Sequence, residues 1–245
     1  SYSVTGVQTC ALPIFHLYMD TNCSWTGQFE LEGLGKFRIA LGDAGGNGRF
    51  DDGCGPGVGP RQNPDFLYMA EGQEITPFDM IHAGRVLVVR GRTFALRIDI
   101  AAGRLVLDPV VEGLLPLRLA MSVERMSLTG PQGGAALFQC GGEIGLPAGT
   151  YTLLGYQATR TDEAGGVWRL RGWSGRGGPS AEAGAGSVLC FGEPFTAGVA
   201  FSPAVARAGA PSIKPRLSFA LAGAGGEQVN GLDLLTPGKA AVELS

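Results

Sequence analysis

The sequence contains few of the side chains that enzymes use for acid–base and metal chemistry. Its 245 residues include 2 histidines and 5 cysteines, and no cysteines form a Cys-x-x-Cys pair. Nucleophilic catalysis needs a base beside the nucleophile, usually a histidine, and structural zinc needs cysteine and histidine ligands at short spacings. His82, in the segment DMIHAGR, has no such motif around it. We therefore expect a protein that is not an enzyme and that has no zinc site.

Long apolar runs and a strong net charge are also absent. No apolar segment approaches the roughly 20 residues of a membrane-spanning helix, so we expect no transmembrane segment. The formal net charge is −3, which gives no reason to expect a nucleic acid or an anionic membrane surface as the partner. The partner classes that remain are proteins and glycans.

Glycine is abundant, and it punctuates short segments in which apolar and polar residues alternate. The 41 glycines show no Gly-X-Y period, and 44% of the residues are hydrophobic, so the chain is neither collagen-like nor disordered. Alternation with a period of two is typical of a half-buried strand. No amphipathic helix of normal length is evident. The pattern predicts an all-β fold built from antiparallel β-sandwich units, with these residues facing inward: Phe37, Ile39, Leu41, Phe94, Leu96, Ile98, Ile100, Trp168, Leu170, Leu217, Phe219 and Leu221.

Two Gly/Pro junctions, at Leu115–Pro116 and Gly192–Pro194, divide the chain into segments. We predict a first β domain over 15–115, a second β-sandwich over 116–192 and a third unit over 193–245. An immunoglobulin-like sandwich needs about 100 residues, and the last segment ends on an alternating run without a closing turn. We therefore expect the third unit to be a truncated sandwich.

The N-terminal segment has a different character. Residues 4–14 read VTGVQTCALPI, and this string is similar to a common short-read sequencing adapter translated in frame. No basic residues precede it, and its apolar run is too short for a signal peptide. We interpret 1–14 as an adapter-derived artefact, leave Cys10 out of the cysteine count, and expect the signal sequence to be missing from this fragment.

The four remaining cysteines, Cys23, Cys54, Cys140 and Cys190, are even in number and widely spaced. In a glycine-rich β protein this favours disulfides in an oxidising compartment. We therefore expect an extracytoplasmic location, whether periplasmic, cell-surface or secreted. Cys23 and Cys54 are the nearest pair in sequence and form our candidate disulfide. The alternative is four free thiols, with Cys140 and Cys190 packed as small hydrophobes.

The sharpest local motif is DAGGNGRFDD, residues 43–52, which resembles the calcium loop of EF-hands and dockerins. Such loops supply oxygens from positions 1, 3, 5, 7 and 9, with glycine at position 6. The resemblance implies a weak calcium site in which these residues converge: Asp43, Asn47, Arg49 through its carbonyl, Asp51 and Asp52.

The motif also departs from that family. Gly45 stands at position 3 and Cys54 at position 12, where an EF-hand has a bidentate glutamate; Asp52 or Asp65 is the candidate replacement. The alternative is a metal-free hairpin turn with Asn-Gly at its tip.

Two further resemblances indicate an architecture but no biochemical activity. Residues 28–69 are similar to an element of uncharacterised secreted bacterial proteins, in which a strand leads into an Asp/Asn/Gly loop. The segment LPAGTYTL, residues 146–153, resembles a hairpin of carboxypeptidase-regulatory-like and transthyretin-like sandwiches. In it Pro147 fixes φ, Gly149 permits a tight turn and Tyr151 begins the next strand. These families imply a structural or adhesive module.

Two functions therefore compete. The first is a structural or adhesive extracytoplasmic protein with one weak calcium ion. The second is a carbohydrate-binding or accessory module of a larger secreted enzyme. For that module Trp173 is the candidate sugar-stacking residue; the alternative, which we favour for this residue, is that Trp173 caps a core edge. Exposed, co-planar aromatic rings in a groove favour the second, and a convex polar surface without such rings favours the first. A glycoside hydrolase, using paired carboxylates among Asp51, Asp52, Asp65, Glu71 and Glu74, is a more distant third.

Overall fold

The computed structural model describes residues 24–45, 52, 65–72, 75, 80–99, 104–174, 177–184, 186–202 and 216–236. Over these residues the chain is all-β, as predicted; its one short helical turn is a 3-10 turn at Pro131–Gly133. No helix in these ranges is long and apolar enough to cross a membrane. The strands are β1 (Ser24–Leu31), β2 (Gly35–Gly42), β3 (Phe66–Glu71), β4 (Met80–His82), β5 (Val86–Val89), β6 (Arg92–Asp99), β7 (Arg104–Pro109), β8 (Leu114–Leu119), β9 (Val123–Thr129), β10 (Ala135–Cys140), β11 (Glu143–Pro147), β12 (Thr150–Thr161), β13 (Val167–Trp173), β14 (Ser180–Glu182), β15 (Val188–Leu189), β16 (Thr196–Ser202), β17 (Arg216–Ala222) and β18 (Gln228–Thr236).

The strands form three sheets. The central sheet has the order β16-β17-β18-β13-β12-β9-β10-β5-β6-β7, with β14 paired to β12. The N-terminal sheet has the order β1-β2-β3-β4, and the short sheet has the order β11-β8-β15. Pairing is antiparallel except that β10 lies parallel to β5 and β15 parallel to β8. The fold is thus of the sandwich type, with mixed sheets where antiparallel ones were predicted.

The central sheet lies between the other two sheets. All four residues of β5 are buried: Val86 and Val88 belong to a core shared with the short sheet, and Leu87 and Val89 to a core shared with the N-terminal sheet. Because neighbouring residues of a strand point to opposite faces, each face of β5 has its own covering layer. A strand covered on both faces is continuously apolar, which explains the run VLVV in β5 and AALF in β10.

The predicted alternation holds where a second sheet covers the strand. In β2, Phe37, Ile39 and Leu41 are buried, and they pack in the core under the N-terminal sheet. In β17 the outcome differs, because Phe219 is 76% exposed. Alternation places residues on one face, and the presence of a covering layer decides whether that face is buried.

The LPAGTYTL segment forms a corner between sheets where a hairpin was predicted. Its first strand, β11, pairs with β8 in the short sheet, whereas β12 pairs with β9, β13 and β14 in the central sheet. Tyr151 is completely buried, and its hydroxyl donates a hydrogen bond of 3.1 Å to the carbonyl of Pro147. Burial raises the pKa of Tyr151 to about 12. The turn therefore carries the chain from one layer to the next.

Strand pairing crosses both predicted domain boundaries. β5 pairs with β10 across Leu115–Pro116, and β13 pairs with β18 across Gly192–Pro194. Glu227, which is buried, accepts hydrogen bonds from the backbone N–H of Gly192 at 2.6 Å and from the hydroxyl of Tyr156 at 3.3 Å. The division into 15–115, 116–192 and 193–245 stays a prediction, and the described strands of these segments share one sheet.

Two of the cysteines are described, and both are free thiols. Cys140 is buried, as predicted for a small hydrophobe, whereas Cys190 is exposed, which corrects the expectation that it packs inside. Cys140 ends β10, while Cys190 directly follows the two-residue strand β15. Cys23 and Cys54, the candidate disulfide, lie outside the described residues, as does the segment 1–14.

The close approach of β10 to the β4–β5 connection generates a test of the packing. A Cβ added at Gly84 would lie 2.7 Å from the Cα of Ala135 and 2.8 Å from its backbone nitrogen. We expect Gly84→Ala to lower the free energy of unfolding by roughly 1–3 kcal/mol, because backbone must move to admit the methyl group. Urea unfolding measures the change. Gly184→Ala is the control, since a Cβ there would meet nothing within 4 Å; equal stability of the two variants would contradict the packing described.

Candidate functional site

The described part of the predicted calcium loop is organised by Asp65, which directly precedes β3 and is completely buried. Its Oδ1 accepts a hydrogen bond of 3.1 Å from the backbone N–H of Ala44, and its Oδ2 one of 2.8 Å from the N–H of Asp52. The backbone N–H of Asp65 donates in turn to the carbonyl of Asp52 at 2.7 Å. One side chain therefore holds together both ends of the segment 44–52.

Ionisation of the Asp65 carboxyl group is unfavourable in the folded protein. Its pKa is raised from 3.8 to about 6, with burial as the largest cause and the nearby charges of Asp52 and Asp43 acting in the same direction. The backbone N–H groups of Asp52 and Ala44 act in the opposite direction. Desolvation favours the neutral form of a buried acid, whereas hydrogen-bond donors favour the anion. Here desolvation outweighs the two donors.

The predicted metal ligands are only partly within the described residues. Asp43 and Asp52 are described, and Asp43 is buried; Asn47, Arg49 and Asp51 lie outside, so the convergence of all five stays a prediction. Among the residues that the structure describes, no group of three or more His, Cys, Asp or Glu side chains is suited to hold a metal ion. Both oxygens of Asp65 accept backbone N–H groups, so Asp65 fastens the loop, and its role as the replacement for position 12 stays a prediction.

The second candidate site is a cleft where the N-terminal sheet meets the central sheet. Its volume is about 260 Å³. The residues that line it come from β3, β4, β12, β13 and β18 and include Phe66, His82, Gln157, Arg171, Trp173 and Asn230. Because one strand edge of the N-terminal sheet borders the open face of the central sheet here, aromatic side chains from both sheets meet across the cleft.

The aromatic side of the cleft consists of three rings. Trp173, the last residue of β13, is 41% exposed. Its ring centroid lies 5.2 Å from that of His82, with an angle of 52° between the planes. Phe66 lies 5.3 Å from His82 on the other side, at 31°. The rings form a continuous tilted row, so an amphipathic ligand meets a largely apolar wall.

Two glycines make room for the functional side chains. Gly155 is the cross-strand partner of Trp173, and a Cβ there would lie 2.9 Å from the Cε3 atom of the indole. A Cβ at Gly231 would lie 2.5 Å from the Nε atom of Arg171. A side chain at either position would displace the indole or the guanidinium. The glycines thus determine where the ring and the charge are placed.

The polar side of the cleft carries both donors and acceptors. The Nη2 atom of Arg171 lies 3.0 Å from Oδ2 of Asp233. Gln157 donates through Nε2 to Glu124 at 2.7 Å, and Asn230 contributes an amide at the rim. The positive charge of Arg171 is balanced by Asp233, so the cleft suits a neutral polar ligand better than an anion.

Ser127 fixes β4 against the central sheet beneath this cleft. The backbone N–H of His82 donates a hydrogen bond of 2.8 Å to the Oγ of Ser127, and that hydroxyl lies 3.4 Å from the carbonyl of His82. The hydroxyl thereby takes the place of a strand partner for β4. His82 belongs to the aromatic row because this contact holds its backbone.

The sequence singled out one residue of the cleft, Trp173, with a role at a core edge favoured over an exposed sugar-stacking role; in the structure it is 41% exposed. It did not identify Gln157, Arg171 or Asn230, because they lie far apart in the chain and carry no motif. His82 was recognised only as lacking a motif. The remaining signal was the alternation of Arg169, Arg171 and Trp173 along one face of β13.

The carboxylates suggested for glycoside hydrolysis have other contacts where they are described. Asp65 accepts the two backbone N–H groups, and Glu71 forms an ion pair with Arg90. Asp51 and Glu74 lie outside the described residues.

Comparison of the chain with protein-family models, with curated proteins and with solved structures gives no match in any of the three. The features of the described chain that bear on function are therefore the cleft and the Asp65 loop.

The buried Asp65 gives the stability a defined pH dependence. Its pKa in the folded protein, about 6, exceeds the ordinary value of 3.8, so the folded state binds the proton more tightly. The stability gained from tighter proton binding to Asp65 is fully present below the ordinary pKa and is lost as the pH rises through about 6. We expect the stability of the wild type relative to Asp65→Asn to grow by roughly 1–3 kcal/mol between pH 7 and pH 4. Chemical unfolding across this pH range, in EDTA, measures it; a difference that shrinks toward pH 4 would show that Asp65 is held as an anion.

Proposed function

We propose that the protein is a non-enzymatic, extracytoplasmic β-sandwich protein that binds a neutral carbohydrate in the cleft formed by Phe66, His82, Gln157, Trp173 and Asn230. The observation that carries the proposal is the half-exposed indole of Trp173 in a row of aromatic rings that faces amide groups. The ring planes are tilted by 52° and 31° and are not co-planar, so the support comes from the exposed indole beside the amide groups.

The chemistry of a sugar ring matches the two sides of the cleft. A pyranose presents C–H groups on one face, which pack against the face of an aromatic ring. Its hydroxyls are both donors and acceptors, and planar amides and ion pairs, which offer both kinds of group, satisfy them. The groups of Gln157, Asn230 and the Arg171–Asp233 pair are of this kind.

The size of the cleft limits the ligand. At about 260 Å³ it is smaller than most sites for drug-sized ligands, which span about 300–1,000 Å³. It therefore fits one sugar unit, either the end of a glycan or a single residue within it. A single site of this size binds a sugar weakly. Weak binding is sufficient for an accessory module of a larger secreted enzyme.

A substitution at Trp173 tests the proposal directly. We expect Trp173→Ala to weaken binding of the best ligand on a glycan array by at least about tenfold, because stacking of this kind contributes about 1.4 kcal/mol or more. Isothermal titration with that glycan, and quenching of tryptophan fluorescence, measure the effect.

Trp168 provides the control on the same strand. It lies five residues away on the opposite face of β13, where its Nε1 donates to Asp162 at 2.8 Å. Trp168→Phe should bind the glycan as the wild type does. Absence of binding to every neutral glycan, or equal binding by Trp173→Ala, would count against the cleft as a sugar site.

A second function is favoured by the Asp65 contacts: stabilisation by one weakly bound calcium ion. A calcium loop must have its ends held together, and Asp65 does this for residues 44 and 52. Asp43, Asn47, Asp51, Asp52 and the carbonyl of Arg49 would hold the ion, which supplies positive charge to offset the carboxylates. With Gly45 in place of an acidic ligand, we propose affinity of about 10⁻⁴–10⁻³ M, as in extracellular modules.

Thermal melts in EDTA and in millimolar calcium test the second function. Calcium that binds only the folded state raises the melting temperature by mass action, and we expect this rise in the wild type and its loss in Asp43→Ala. Asp108→Ala is the control, since that exposed carboxylate pairs with Arg97 outside the loop. Identical melting temperatures in EDTA and in calcium would leave the metal-free turn as the explanation of the motif.

A further inference from the structure

The side-chain amide of Gln157 has a fixed orientation in the cleft. Gln157 is 6% exposed, and its Nε2 donates a hydrogen bond of 2.7 Å to Oε2 of Glu124. The hydroxyl of Thr159 donates to Oε1 of the same carboxylate. A carboxylate accepts hydrogen bonds and donates none, so the nitrogen of the amide must face Glu124 and its oxygen must face the other way.

The oxygen of this amide is a buried acceptor that faces the cleft. Gln157 lines the cleft, and none of the described residues donates a hydrogen bond to its Oε1. An acceptor in so closed a place loses free energy when its hydrogen bond is not made. A ligand that displaces water from Oε1 must therefore bring a donor of its own.

The hollow in front of this oxygen lies beside the indole of Trp173. Gly155 pairs with Trp173 on one side and with Ser127 on the other, and Gln157 follows it on the same face of β12. Because Gly155 has no side chain, the floor between the indole and the amide is open. Gln157 and Trp173 are diagonal cross-strand neighbours, which lie about 7–8 Å apart. A sugar ring stacked on Trp173 therefore reaches Oε1 of Gln157 through a substituent.

Met80 extends the apolar wall of the cleft beyond the aromatic rings. It is 44% exposed, lines the cleft and lies two residues before His82 in β4. Ile81, between them, is buried in the core under the N-terminal sheet, so Met80 and His82 project together from the other face of β4. An unbranched thioether side chain adapts its shape to the group packed against it. The cleft thus combines a buried acceptor with an adaptable apolar wall.

A β-bulge directs a second amide to the rim of the cleft. Arg171 of β13 pairs with Gly231 and Gly172 pairs with Val229, so Asn230 is an extra residue in β18. Bulges change the direction of a side chain and are frequent beside functional sites. Asn230 lines the cleft and offers a donor as well as an acceptor there.

We propose that the sugar bound in this cleft is an N-acetylated hexosamine, whose acetamido N–H donates to Oε1 of Gln157 and whose methyl group packs against Met80 and His82. In a trans amide the N–H and the methyl group lie on the same side, so one substituent meets both requirements. The acetamido carbonyl points the other way and accepts from Asn230. This inference rests on the carbohydrate cleft proposed above, and it specifies the class of neutral sugar.

Titration calorimetry with N-acetylchitotriose and cellotriose tests the inference, because these oligosaccharides share length and linkage and differ in the acetamido groups. The full chain should bind N-acetylchitotriose at least about fourfold more tightly, since a buried methyl group contributes about that ratio. Met80→Ala should reduce the preference to about twofold or less. Gln157→Met removes the acceptor at similar length and should weaken binding of N-acetylchitotriose at least about fivefold.

Thr159→Val is the matched control. Like Gln157→Met it removes one donor to Glu124, but it leaves the amide oxygen in the cleft, so it should bind as the wild type does. Urea unfolding checks that the variants are folded, and Met80→Ala decides if Gln157→Met is not.

The outcomes separate this inference from the proposed function. Equal affinity for both oligosaccharides, with Trp173→Ala weakening both, would overturn the inference and leave a sugar site. A preference for N-acetylchitotriose that both Met80→Ala and Gln157→Met retain would overturn it as well. If neither these oligosaccharides nor any other neutral glycan binds, the carbohydrate site and the inference are both wrong.

Discussion

The packing of the molecule depends on the burial of β5 and β10 on both faces. Val86 and Val88 point into one core and Leu87 and Val89 into the other, so the two cores share a single strand pair. Truncating a side chain in a packed interior loses transfer free energy and leaves a cavity. Such a truncation on either face of β5 would therefore destabilise the fold. The parallel pairing of β5 with β10 is stable because both layers shield it, as parallel sheets generally require.

The same layering creates the cleft. The cleft lies where the N-terminal sheet stops short of β13 and β18, leaving Trp173 half-covered beside His82 and Phe66. A central sheet wider than its two covering layers must expose strand faces. The face at the cleft carries polar groups and an aromatic row, and the opposite face exposes Leu232 and Leu234 beside Trp168.

The loop at 43–52 was singled out for its resemblance to a calcium loop, but the contacts that the structure describes there are the hydrogen bonds of Asp65. The Asp65 carboxyl is buried and accepts hydrogen bonds from the backbone of Ala44 and Asp52, which holds the two ends of the loop together. Burial of a carboxyl costs free energy unless hydrogen bonds or protonation compensate, and both operate here. A loop fastened in this way loses less entropy when a cation binds than an open one does.

The sequence by itself determined the strand content and the faces of most strands, because side-chain direction along a strand has a period of two and needs no tertiary information. It left open whether Trp173 caps a core edge or is an exposed ring. Only the tertiary structure decided that Tyr151 turns a corner between sheets, that Phe219 is exposed and that Cys190 lies at the surface. It alone brought His82, Gln157 and Asn230 to one cleft. The physical reason is that a local pattern specifies which residues share a face, whereas the burial of that face depends on whether a distant strand packs against it.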